Sequence, residues 1–161
     1  MGGEREDGFE DWYRREHPRV LGVLCAVSGD PILARDATDE AFVRALDRWT
    51  RVRDMDSPAG WTYRVALNQL RKERGRRRPD EVDEAVAPEP TTYADLWDAV
   101  RRLPPRQQTA LVLRYIADLP EADIAAVMQV ARGTVASTLY DARTRLAGML
   151  AEAAVEEDVT K

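Results

Sequence analysis

The sequence predicts an all-α fold made of two small helical units joined by an acidic linker. Apolar residues recur every three or four positions along most of the chain, the period of an amphipathic helix. Sustained alternation is absent and β-branched residues do not cluster, so nothing reads as a strand. Between the helical stretches, PDEVDEAVAPEPTT (79–92) holds three prolines and a run of acidic residues with little to bury. That is the composition of a flexible linker. The 161 residues therefore divide into 1–78, a linker at 79–91, and 92–161. Each helical unit is small enough that its core is marginal.

The first helix is expected to start near Phe9, with Phe9, Trp12, Tyr13, Val20, Leu24 and Val27 at helical spacing. Pro18 has no backbone N–H and its ring crowds the preceding turn, which predicts a kink or restart near His17. SGDP at 28–31 reads as a turn. A second helix follows from about Pro31 to Trp49. Its apolar stripe is Ala34, Ala37, Ala41, Phe42, Ala45, Leu46 and Trp49; its other face carries Asp36, Asp39, Glu40, Asp47 and Arg48. The third helix has a clear start, with Ser57 as N-cap and Pro58 at the first helical position. It runs through WTYRVALNQLRKERGRRR and is expected to fray at Gly75.

The second unit begins near Thr92, with Tyr93, Leu96, Trp97, Val100 and Leu103 at amphipathic spacing. Pro104 and Pro105 end that helix and start the next, whose expected buried stripe is Leu111, Val112, Tyr115 and Ile116. Pro120 opens a short helix over 121–128, QVA turns the chain, and the last helix runs from Gly133 to about Ala151. Val135, Leu139, Ala142 and Leu146 fall on one face of it; Gly133, Ser137, Tyr140, Asp141 and Thr144 face away. Short helix, tight turn and long helix form the pattern of a DNA-reading helix-turn-helix. Plain helical hairpins share that spacing.

Composition excludes several function classes. Charged residues make up 33% of the chain, and no apolar run approaches the roughly 20 residues of a membrane span. The start, MGGEREDGFEDWYRREH, is acidic and polar, unlike a secretory leader. Gly2 is followed by Glu at position 6 rather than Ser or Thr, which argues against myristoylation. A single Cys25 permits no internal disulfide, and the lone His17 argues against a histidine metal site. No Ser/His/Asp or Cys/His pairing and no phosphate-cradling glycine loop is present. These features lead us to expect a cytoplasmic protein that is not an enzyme and needs no cofactor.

The net charge of −5 hides a strong asymmetry. Residues 61–78 hold seven Lys/Arg against Glu73 alone, a local +6, whereas 81–100 hold six Asp/Glu and no cation, a local −6. The basic stretch interleaves Trp61, Tyr63 and Asn68 with its cations. Cations hold phosphates, aromatics stack on unpaired bases, and Asn reads a base edge. The same residues also fit a plainer reading, with Trp61 and Tyr63 in the core and the arginines on a solvated helix end.

Four segments in this order resemble the extracytoplasmic-function group of bacterial sigma-70 factors, over roughly residues 9–148. They are FEDWYRREHPRVLGV, DPILARDATDEAFVRALDRW, SPAGWTYRVALNQLRKERGRRR, and LPPRQQTALVLRYIADLPEADIAAVMQVARGTVASTLYDARTRL. The resemblance implies a region 2 three-helix bundle followed by a region 4 helix-turn-helix domain. It implies that Asp36, Asp39, Glu40, Arg44 and Trp49 dock on the β′ clamp helices of core RNA polymerase. It implies that Trp61, Arg64, Asn68, Arg71, Lys72 and Arg74 melt and read the −10 promoter element. Arg132, Thr134, Ser137, Thr138, Tyr140 and Arg143 would meet the −35 element, with the β flap touching the same unit. The linker would thread near the RNA exit path, and an anti-sigma factor is an expected partner.

The departures concentrate in the last helix. Members of the group read close to SVGTVKSRLHRARARL there, and this chain has ARGTVASTLYDARTRL. Ala131 stands for the capping Ser, Ala136 for Lys, Thr138 for Arg, Tyr140 for His and Asp141 for Arg. Missing phosphate and base contacts weaken DNA binding, since a good bidentate base contact contributes about 1–3 kcal/mol. Two readings follow: an alternative sigma factor with an unusual −35 preference, or a sigma-like regulator whose second unit binds a protein or ligand.

Overall fold

The computed structural model describes residues 8–77 and 93–159, and among them it holds eight α-helices and no strand. The linker at 79–91 and the Thr92 start lie outside the described residues. The helices are α1 (Phe9–Ser28), α2 (Pro31–Asp47), α3 (Trp49–Val52), α4 (Pro58–Arg76), α5 (Ala94–Arg101), α6 (Pro105–Tyr115), α7 (Glu121–Met128) and α8 (Arg132–Val159).

The helix ends follow local chemistry. Asp30 Oδ1 accepts from the amides of Ile32 and Leu33, each at 3.0 Å, and Pro31 takes the first position of α2. Ser57 Oγ accepts from the Gly60 amide at 3.0 Å at the start of α4. Gly29 ends α1 with φ 67°, a left-handed cap that a residue without a β-carbon adopts at little cost. Gln129 takes the same conformation (φ 56°) after α7 and makes the tight turn of the helix-turn-helix.

Four expectations are corrected. Helix α1 runs unbroken through Pro18. Trp12 before the proline and Val20, Val23 and Leu24 after it are buried in one core, and an unbroken helix is what buries both groups. Helix α2 ends at Asp47, and Leu46, still within it, lies outside the buried stripe and is 42% exposed. Tyr115 and Ile116 are exposed at the end of α6, where the buried run is Gln108–Leu113. Helix α8 extends well past Ala151, and Leu146 and Met149 pack on the core beside α5.

In the first unit, α1, α2 and α4 enclose an aromatic centre. Trp49 lies 4.9 Å from Trp12 and 5.2 Å edge-on to Phe9, and Phe42 lies 5.1 Å from Trp12. In the second, α8 supplies Val135, Leu139 and Ala142 to a core shared with α6 and α7. The two units also pack on each other, α1 against α6 and α4 against α7, in one continuous buried cluster. The side-chain amide of Gln108 donates across this junction to the Ala26 carbonyl at 3.4 Å.

Candidate functional site

Helix α2 presents one face to solvent. Ile32, Asp36, Asp39, Val43 and Leu46 recur at spacings of four, three, four and three, which puts them on one stripe. Asp36 and Asp39 are exposed, and Ile32, Val43 and Leu46 are exposed at 60%, 54% and 42%. Three large apolar side chains thus stand in water beside two carboxylates. The carboxylates are expected from sequence; the apolar members are not. Their signal, spacings of four and three with Asp36 and Asp39, is present in the sequence.

Neighbouring side chains hold parts of this stripe. His17 Nε2 lies 2.9 Å from Asp39 Oδ1, and its ring packs 4.8 Å from Tyr13 and 5.2 Å from Phe42. Arg44 donates to Glu40 at 2.8 Å and reaches Gln69 of α4 at 3.4 Å. Gln69 in turn donates to Glu73 at 2.9 Å. Trp49 does not belong to the surface. It is 5% exposed within the aromatic centre, so its indole is core and not a partner contact.

Helix α4 divides its residues between core and surface. Tyr63, Ala66, Leu67 and Leu70 are buried; Asn68, Arg71, Lys72 and Arg74 are exposed; Trp61 and Arg64 are half-buried. Burial, with the Glu16 carboxylate nearby, pushes the Tyr63 phenol up to about 12. The burial of Tyr63 fits the plainer reading, and the exposure of the cations fits either reading. The cations differ in what they already hold. Arg74 donates to the Ser28 carbonyl at 3.0 Å, capping the end of α1. Arg77 pairs with Asp30 at the start of α2. Among the described residues Arg71 donates to Asn68, at 3.4 Å. This row of cations with an exposed amide suits a phosphate backbone with a base beside it.

The helix-turn-helix forms with the expected geometry. Ser137, Tyr140 and Asp141 are exposed and Thr138 is half-buried on the outer face of α8. Its cations are partly taken. Arg143 donates to the Tyr115 hydroxyl at 2.8 Å and its guanidinium lies 5.6 Å from that ring. Arg132 lies 3.9 Å from Glu121. Ser137 and Thr138 donate back to the Thr134 carbonyl at 3.0 and 2.6 Å. Leu96, Trp97, Leu111, Ile116 and Leu150, with Tyr115 and Arg143, line an apolar groove of about 570 Å³. Neither a group of three or more metal-ligating side chains nor a helix long and apolar enough to cross a membrane occurs among the described residues.

Comparison with known proteins matches both units. The family model for Sigma-70 region 2 matches residues 12–79, and that for Sigma-70 region 4 matches 93–146. The RNA polymerase sigma-H factor of Pseudomonas aeruginosa is 32% identical over 148 residues, covering 78% of this chain and 77% of that protein. The ECF RNA polymerase sigma factor SigM of Mycobacterium tuberculosis is 29% identical over 158 residues, covering 93% of this chain and 80% of that one. The sigma factor RpoE of Bartonella quintana, solved in complex with the anti-sigma factor NepR, superposes with a TM-score of 0.77 at 23% identity. That match covers 90% of this chain and 97% of the other, and it is a likeness of fold.

Proposed function

The chain belongs to the sigma-70 family of RNA polymerase sigma factors, in its extracytoplasmic-function group, and we propose which of its surfaces do that family's work. It is an alternative sigma factor, an initiation factor rather than an enzyme. The alternative, a second unit turned wholly to a protein or ligand, has no support among the relatives over this reading. In our assignment residues 1–78 act as region 2, 79–91 as linker, and 92–161 as region 4, working in the cytoplasm where core polymerase is.

The α2 stripe is the docking surface for the β′ clamp helices. One observation carries this: Ile32, Val43 and Leu46 stand exposed in line with Asp36 and Asp39. A partner helix with apolar and basic side chains matches that pattern. Helix α4 takes the −10 element, with Lys72 and Arg71 on phosphates, Asn68 on a base edge and Trp61 against an unstacked base. Helix α8 faces the −35 element through Thr134, Ser137, Thr138 and Tyr140, with Arg132 and Arg143 at its rim, and the apolar groove of the second unit receives the β flap. An anti-sigma factor, as bound by the relative RpoE, is the expected negative partner.

Transcription in vitro with purified core polymerase and a library of genomic fragments tests the assignment. Val43→Lys with Leu46→Lys is expected to abolish association with core while leaving the fold intact, since both side chains already stand in water. Asn68→Ala with Lys72→Ala should leave core association intact and remove promoter opening. Core association that survives the first pair would remove α2 as the docking surface.

A further inference from the structure

We propose that His17 of α1 is a positioning residue for core association: it fixes Asp39 of α2 as the prepared anion of the docking surface, set to meet a cation of the partner helix. The inference rests on the assignment of the α2 stripe to the β′ clamp helices. A carboxylate has no proton to give, so in their 2.9 Å contact His17 Nε2 donates and Asp39 Oδ1 accepts. The donor is itself held. The His17 side chain is 18% exposed, and its ring packs on Tyr13 of α1 at 4.8 Å and on Phe42 of α2 at 5.2 Å. The acceptor is open: the Asp39 side chain is 54% exposed, and its Oδ2 has no bond among the described residues. One oxygen is thus tied to a ring seated against the core, and the other is left for a partner.

The neighbouring carboxylates of α2 are not prepared in this way. Glu40 accepts from Arg44 at 2.8 Å, and Arg44 also reaches Gln69 of α4 at 3.4 Å, so the Glu40 charge is already compensated inside the unit. Asp36, one turn before Asp39 on the same stripe, has no bond among the described residues, and nothing selects one of its rotamers. The difference bears on affinity. Freezing one side chain at an interface weakens binding by roughly threefold to tenfold, and a side chain already held in the free chain avoids that loss. Asp39 also stands next to Val43 along the stripe, with Leu46 beyond it. A partner helix laid on α2 therefore covers Val43 and Leu46 with apolar side chains while its cation meets Asp39.

The test uses the full chain and purified core polymerase, with association read by fluorescence anisotropy of the labelled chain and folding by urea unfolding. Two variants separate the ring of His17 from its proton. His17→Phe keeps a ring against Tyr13 and Phe42 and has no donor. His17→Gln gives up the ring and keeps an N–H donor the same number of bonds from the backbone. His17→Phe is expected to weaken association roughly threefold to tenfold, and His17→Gln to stay within about twofold of wild type. Asp39→Ala should weaken association about tenfold, and adding His17→Phe to it should then cost nothing more. A histidine that only packs gives the reverse order, with His17→Phe near wild type and His17→Gln weak, and that order would overturn the proposal. So would a loss from His17→Phe that is the same with and without Asp39. If loss of the ring unfolds His17→Gln, the cycle of His17→Phe with Asp39→Ala decides alone. Association untouched by Asp39→Ala and by Val43→Lys with Leu46→Lys would remove α2 as the docking surface and the proposal with it. Association lost in those variants and kept in His17→Phe would remove the proposal alone.

Discussion

Removing the Asp30 carboxylate separates two jobs that one side chain does at the base of the first unit. Its Oδ1 caps α2 through the Ile32 and Leu33 amides, each at 3.0 Å, and its Oδ2 pairs with Arg77 just past the end of α4. Deleting an N-cap costs about 1 kcal/mol, and a partly exposed ion pair adds roughly 0.5–1 kcal/mol. Asp30→Ala is therefore expected to cost about 2 kcal/mol, and Asp30→Asn, which keeps a good cap, about 0.5–1 kcal/mol. The Leu33 amide, with help from Arg77, holds the carboxyl below its ordinary value against the opposing effect of burial. A depressed folded value fixes the sign. The stabilisation is fully present above the unfolded value of about 3.9 and is lost as pH falls through the folded value. Urea unfolding followed by far-UV circular dichroism, from neutral pH into acid, measures all three chains. The gap between wild type and Asp30→Asn should be constant near neutrality and close only below the ordinary carboxylate range. Equal stability of the Ala and Asn variants would remove the cap from the account. A gap that stays open in strong acid would remove the carboxylate's charge from it.

Three further outcomes follow from the same structure. Trp49→Ala should cost about 3–5 kcal/mol in urea unfolding, the range for a buried aromatic, and should lower polymerase association only as far as it unfolds the first unit. Tyr63, with its phenol pushed up to about 12, contributes stability that is complete below the ordinary tyrosine value and lost as pH rises towards 12. Alkaline denaturation of Tyr63→Phe should lack that part of the loss, and identical alkaline curves would show that Tyr63 ionises freely. Asp141→Arg, on the exposed face of α8, should raise affinity for duplex DNA and steepen its salt dependence by about one phosphate contact, read by titrations at several salt concentrations.

Features set by neighbours in sequence were legible in the chain. Ser57 with Pro58 announces the start of α4, and Pro120 that of α7, because capping depends on residues a few positions apart. Features set by the core were not. Pro18 is a breaker by local rules, yet burial of Trp12 on one side and Val20 and Leu24 on the other outweighs it. Leu46 and Trp49 stand three apart and read as one apolar stripe, but α2 ends between them, turning Trp49 inward and leaving Leu46 out. The junction that pairs Gln108 with Ala26 joins residues 82 positions apart, and no local pattern reports such a pairing.

The charge distribution now divides the work between the two units. On α4, Lys72 stands exposed and Arg71 has only a long contact to Asn68, so both keep their charge available to phosphate. On the second unit, Arg143 is held by the Tyr115 hydroxyl and ring and Arg132 faces Glu121, while Asp141 lies on the outer face itself. A cation already engaged contributes less to phosphate binding, because its bond must be given up first. Of the cations on α8, Arg145 is exposed one turn from Asp141 and stands alone against the missing lysine and arginines. Promoter affinity should then rest mainly on α4, and the −35 contact should act through shape and through the acceptors of Ser137 and Thr138.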